Sequence, residues 1–122
     1  MKRDELKHFQ NRTLYCRALV SEKNQRFYPN YGVQHSNWHI LLHQVRIENK
    51  GLDHIWINDP ILSSIPDGTF IFFTAEVCFY RKGDSYQYFS YNLCNLVLIT
   101  AEEYLTYYRT KYPSRKINYL KD

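Results

Sequence analysis

One segment constrains the fold more than any other. Between the turn signal Pro66-Asp67-Gly68 and the basic turn Arg81-Lys82-Gly83-Asp84, residues 69–80 alternate without interruption. Ile71, Phe73, Ala75, Val77 and Phe79 fall on one side, and Phe70, Phe72, Thr74, Glu76, Cys78 and Tyr80 on the other. A period of two is the mark of a strand, whose successive side chains point to opposite faces. The Ile71-to-Phe79 face is expected to be core. Such a strand needs neighbours on both edges, so the rest of the chain must supply them.

The same alternation recurs elsewhere. Residues 12–20 place Leu14, Cys16, Ala18 and Val20 on one face, with Thr13, Tyr15, Arg17 and Leu19 on the other. Residues 38–48 set His39, Leu41, His43, Val45 and Ile47 against Trp38, Ile40, Leu42, Gln44 and Arg46. Asn49-Lys50-Gly51 carries turn chemistry, and residues 53–58 read as a short third strand that completes a hairpin. Residues 86–99 form the last strand, with Tyr86, Tyr88, Phe89 and Tyr91 crowding its first half. Residues 21–37 have no sustained period and hold Arg26, Phe27, Tyr28 and Tyr31. They read as a loop long enough to be functional. Thr100-Ala101-Glu102-Glu103 fits a capping box. It predicts a helix over residues 101–111, with Tyr104, Leu105 and Tyr108 on one face and Pro113 as its stop.

Five strands and a terminal helix predict an all-β fold with a C-terminal helix. Closure would protect the sheet edges, so the expected architecture is a small five-stranded, OB-like barrel. An open antiparallel sheet packed on the terminal helix fits the same alternation. The expected organisation is a single domain over residues 1–122: a polar arm at 1–11, the barrel at 12–99, the helix at 100–112 and a basic tail at 113–122 that contains Arg115, Lys116 and Lys121.

A chain of 122 residues has room for one core. With 44% hydrophobic residues it can fill that core, which argues against disorder. Its apolar runs fall far short of the roughly 20 residues that span a bilayer. The start Met1-Lys2-Arg3-Asp4-Glu5 does not read as a secretory signal. Cys16, Cys78 and Cys94 lie in separate apolar segments without CxxC spacing. They read as buried thiols of a cytoplasmic protein, with no disulfide expected.

A further pattern runs through His39-Ile40-Leu41-Leu42, then Asp53-His54-Ile55-Trp56-Ile57, then the strand from Gly68 to Gly83. It resembles a family of short, poorly characterised bacterial and phage proteins. Their marks are a DH-hydrophobic-W element and a later F-x-A-x-V-x-x-Y-x-K-G strand, here Phe73, Ala75, Val77, Tyr80, Lys82 and Gly83. The match covers about half the chain, and the resemblance implies an OB-type barrel and, by analogy of fold, nucleic-acid binding.

The chemistry of the residues points the same way. Single-strand binding needs cations for phosphates and aromatic faces for bases. With 16 Lys+Arg against 12 Asp+Glu the net charge is +4, and 12 tyrosines offer rings with polar tips. The expected stacking residues are Phe27, Tyr28, Tyr80, Tyr86 and Tyr88; the expected phosphate ligands are Arg17, Arg26, Arg81 and Lys82, with Arg12 extending the track. Single-stranded DNA or RNA is then the partner, read with little sequence preference. The same side chains suit a protein interface, so a protein-binding module or inhibitor acting on a bacterial or phage protein is the alternative, and an exposed strand edge would permit a homodimer. His35, His39, His43 and His54 lack a cysteine at ligand spacing and read as polar-face or hydrogen-bonded core residues rather than a metal site. Asp53 is placed to orient His54. No nucleophile elbow, HExxH or phosphate-binding glycine loop is present. Cys94 or Ser63 with a histidine, and Glu76 with Asp84, form no evident catalytic set, so neither an enzyme nor a cofactor is expected.

Overall fold

The computed structural model describes residues 1–28, 35–81 and 89–113, and the side chains of 1–21, 39–79 and 90–113. Five strands, β1 (Leu14–Tyr28), β2 (His35–Ile47), β3 (Lys50–Ile57), β4 (Phe70–Arg81) and β5 (Phe89–Ile99), are followed by helix α1 (Ala101–Lys111). They form one antiparallel sheet in the order β3-β2-β1-β4-β5. The sheet is strongly curled into a half-barrel. Its two edges, β3 and β5, approach without a backbone ladder among the described residues. Side chains bridge them: Asn92 Nδ2 donates to the Trp56 carbonyl at 2.9 Å, and the Leu96 amide donates to Asp59 Oδ2 at 3.4 Å.

The core is the concave face. Leu14, Cys16, Ala18 and Val20 of β1 meet Ile40, Leu42, Val45 and Ile47 of β2 and Ile71, Phe73 and Ala75 of β4, all buried. Leu6, in a 3-10 segment over Arg3–Phe9, and Leu62 plug this interior and are fully buried. The polar arm is thus anchored, and Arg3 Nε donates to the Tyr91 carbonyl at 2.7 Å. Val77 packs against the core, but Phe79 is 59% exposed. The alternation of β4 outruns the core, because the β1 ladder ends at Leu14↔Ala75 and only β5 accompanies β4 beyond it.

Three further expectations are corrected. The segment 21–37 is not a long loop; β1 runs on to Tyr28, and the ladder continues from Lys23↔Ile40 to Tyr28↔His35. A register shift between Val20 and Glu22 breaks the period, which is why the alternation is lost there. The β2–β3 turn falls at Glu48-Asn49, earlier than Asn49-Lys50-Gly51, since Lys50 already pairs with Ile47. The turn before β4 stands as expected: Gly68 takes φ +84°, where a side chain would be strained, and its amide donates to the Val20 carbonyl.

Finally, Cys78 and Cys94 form a disulfide, with Cα atoms 6.0 Å apart. In the β4–β5 ladder Cys78 faces Asn92 and Cys94 faces Glu76, so the two cysteines are diagonal neighbours. Only the register brings them together, and spacing alone does not show it. Cys16 remains a free, buried thiol whose pKa is pushed well up, chiefly by burial. The argument for a reducing compartment that rested on three separate thiols therefore falls away. Reduction is expected to lower stability by about 2–4 kcal/mol. Denaturant melts with and without dithiothreitol measure this, and a thiol assay of the unfolded, unreduced chain should count Cys16 alone.

Candidate nucleic-acid interface

The convex face of the sheet is divided in two, and a carboxylate decides the division. Glu48 sits in the β2–β3 turn at φ +55°, a left-handed conformation that costs a non-glycine residue. Its side chain is fully buried. Oε2 accepts the Tyr15 amide at 2.7 Å, while Oε1 accepts the hydroxyls of Tyr107 at 2.6 Å and Tyr112 at 2.8 Å. Lys111 Nζ at 3.1 Å and Arg12 Nη2 at 3.4 Å supply the counter-charge. The Tyr107 ring stacks on Tyr15 at 3.7 Å between centroids. Burial pushes the Glu48 carboxyl up, but the hydrogen bonds from Tyr107, the Tyr15 backbone, Tyr112 and Lys111 together hold it below the usual carboxylate range. The Tyr112 phenol is raised to about 12, first by burial and then by its bond to Glu48.

This cluster clamps α1 across β1 and β4. The predicted capping box starts the helix: Thr100 Oγ1 accepts the Glu103 amide at 3.1 Å, and Glu103 reaches back to the Thr100 amide. Tyr104 and Tyr108 are buried as expected, with Tyr104 against Phe72 at 5.2 Å between centroids. Arg17 lies in the convex-face alternation of β1 and is only 1% exposed. It is therefore not the surface phosphate ligand expected from sequence. The strand pattern placed it on the outer face, but a polar helix covers that face.

The helix does not reach the other half of the convex face, which is partly exposed among the described residues. Ile40, Leu42, Ile55 and Ile57 point into the core, so His39, Leu41 and His43 of β2 point outward with Trp56 and His54 of β3. His43 is the direct cross-strand partner of His54, with ring centroids 6.1 Å apart, and Leu41 is that of Trp56. The His39 and Trp56 rings lie 6.3 Å apart, and Trp56 is 37% exposed. Asp53 Oδ2 bonds His54 Nδ1 at 2.9 Å, as the sequence suggested, and this bond holds the Asp53 carboxyl below its ordinary range. Among the described residues no three potential metal ligands converge.

The remaining sequence-derived candidates fall at the hairpin ends. Arg26, Phe27 and Tyr28 lie in β1 opposite Asn37, Ser36 and His35, and Tyr80 and Arg81 lie in β4 opposite Ser90 and Phe89. Their side chains are outside the described residues, as are Lys82, Tyr86 and Tyr88 entirely. Along the β1–β4 ladder the two groups lie past opposite ends, Tyr28 beyond Leu19↔Phe70 and Arg81 beyond Leu14↔Ala75. No single track along β1 joins them. The seam alters this relation: Asn92, near the start of β5, contacts Trp56, near the end of β3. From the same end of β3, the β1–β2 ladder runs on toward Tyr28↔His35. The seam thus places the start of β5 beside the Trp56 end of β3.

Trp56 does not stand out as a surface residue from the sequence alone. The DH-hydrophobic-W element contained the signal, since Trp56 alternates with the buried Ile55 and Ile57. No family model, curated protein or solved structure matches this chain.

Replacing Glu48 by Gln should cost about 3–5 kcal/mol, the usual loss when one partner of a buried ionic cluster is removed. The folded-state carboxyl is more acidic than in the unfolded chain. The stability it contributes is therefore present above the unfolded pKa of about 4.3 and is lost as pH falls through the lower folded value. Thermal melts between neutral and acid pH should show this loss in the wild type and a flatter profile in Glu48→Gln.

Proposed function

We propose that the chain is a non-enzymatic, single-stranded nucleic-acid-binding protein of the OB type, reading DNA or RNA with little sequence preference. The observation that carries the reading is the β2–β3 face away from α1, where, among the described residues, Trp56 stands beside His39, His43 and His54. Three considerations support it. The order β3-β2-β1-β4-β5 is that of a five-stranded barrel parted between β3 and β5, which run in the same direction. OB folds are partly open barrels that bind oligonucleotides on the faces of strands 2 and 3, between the β1–β2 and β4–β5 loops. Here those hairpins carry Arg26, Phe27 and Tyr28, and Tyr80, Arg81, Lys82, Tyr86 and Tyr88. Trp56 supplies the stacking platform, and the hairpin cations hold phosphates. The likeness to short bacterial and phage proteins belongs to the same proposal.

A protein-binding role is the second reading. It draws on Phe79 and Val97, 59% and 57% exposed on β4 and β5. A cytoplasmic setting is part of the first reading. It is tested by the state of Cys78 and Cys94 in protein alkylated at lysis, since cytosolic thiols are kept reduced.

Anisotropy titrations with labelled single-stranded and duplex oligonucleotides test the function. Single-strand binding should weaken steeply with salt. Trp56→Ala should weaken it by about 1–3 kcal/mol, the worth of one stacked base, and Arg81→Ala/Lys82→Ala should flatten the salt dependence. Absence of binding at low salt refutes the reading, and salt-insensitive capture of a protein partner favours the alternative.

A further inference from the structure

The register of the β2–β3 hairpin sets side by side two histidines that are well separated in the sequence. His43 and His54 are direct cross-strand partners, and their ring centroids lie 6.1 Å apart. Leu42 and Ile55 beside them point into the core, so both imidazoles lie on the convex face, His43 half-buried and His54 exposed. β3 is an edge strand of the sheet, and His54 is open to solvent there. Asp53 Oδ2 bonds His54 Nδ1 at 2.9 Å. An ionised carboxylate only accepts hydrogen bonds, so the proton of this contact sits on Nδ1. The lone pair of a neutral His54 is then on Nε2, the nitrogen turned away from Asp53. A neutral His43 likewise has one nitrogen with a lone pair, whichever tautomer it adopts.

We propose that His43 and His54 form a site for a divalent transition metal, with Asp53 as the residue that orients His54. Imidazole nitrogens suit Zn²⁺, Ni²⁺ and Cu²⁺, whereas Mg²⁺ and Ca²⁺ take oxygen ligands. Ligation at about 2.0–2.1 Å through one nitrogen of each ring limits two ring centres on a single ion to a separation of roughly 6.5 Å. The pair stands within that limit, so side-chain rotation can bring both nitrogens to one ion while the ladder stays as it is. Because the ladder fixes both strands beforehand, little backbone freedom is lost on chelation. A carboxylate on the far ring nitrogen is the usual support of a ligating histidine: it fixes the tautomer and makes the ligand more basic. No third protein ligand converges among the described residues. Water therefore completes the coordination, which makes this an open surface site, unlike the closed four-ligand sites that hold small folds together. The site lies on the same face as Trp56, but its existence does not rest on nucleic-acid binding there.

The test uses the full chain and Zn²⁺ alone. Isothermal titration gives the stoichiometry and affinity, and NMR of the isotopically labelled imidazole nitrogens identifies the ligands. The wild type should bind one ion saturably, with the resonances of His43 and His54 moving together and the His54 change falling on Nε2. His54→Ala alters an exposed side chain and leaves the core intact, so it should fold as the wild type does and lose the binding. Asp53→Asn should keep the metal-free melting profile and bind Zn²⁺ about 10–100-fold more weakly, the usual effect of removing the group behind a ligating histidine. The assignment is overturned if the wild type shows no saturable binding, if binding survives His54→Ala, if the shifts fall on other histidines, or if Asp53→Asn binds as the wild type does.

Discussion

The structure depends on how Glu48 is held. A carboxylate buried at a strained turn would ordinarily be a liability, since removing a charge from water costs several kcal/mol unless partners replace the hydration. Here the partners come from two distant segments: Arg12 and the Tyr15 amide at the start of β1, and Tyr107, Lys111 and Tyr112 at the end of α1. The helix α1 has little apolar surface of its own and few buried residues besides Tyr104 and Tyr108. Its docking rests largely on hydrogen bonds and ring stacking. Fixing the helix in this way fixes which part of the convex face is covered.

That division gives the two halves of the convex face different chemistry. Under the helix lie Tyr15, Arg17 and Phe72, packed and partly ionic; away from it lie the half-buried His39, Leu41 and His43 and the exposed His54 and Trp56. The seam between β3 and β5, bridged by the Asn92 and Asp59 side chains, sets the start of β5 against the end of β3.

Much of the fold is legible in the sequence, and the exceptions have physical causes. Strand β4, the buried faces of β1 and β4 up to Ala75, and the Thr100-Glu103 cap follow from local rules that tertiary structure left intact. Residues 21–28 escaped because a bulge resets the period of two, so a paired strand looks aperiodic. Glu48 escaped because nothing local distinguishes a glutamate at the end of an alternating run from a solvated one; its partners are 33 to 64 residues away. The Cys78–Cys94 bond and the burial of Arg17 are likewise consequences of register and of helix docking. At the candidate site, the aromatic-basic character of the hairpins was readable from composition, whereas the outward aim of Trp56 required knowing which face of β3 meets the core.

The central position of β1 bears on how the chain reaches this structure. β1, β2 and β3 are joined in sequence as a meander, and β4 and β5 as a hairpin, so each group can pair through nearby contacts. The β1–β4 ladder, by contrast, joins Leu19 to Phe70 and Leu14 to Ala75 across the whole meander. Such pairing carries a loop-closure penalty that is met before its contacts are gained. The rate of acquiring the native state is therefore governed by one docking event, in which two locally formed units meet along β1. The concave core, shared between those units, forms only at that moment.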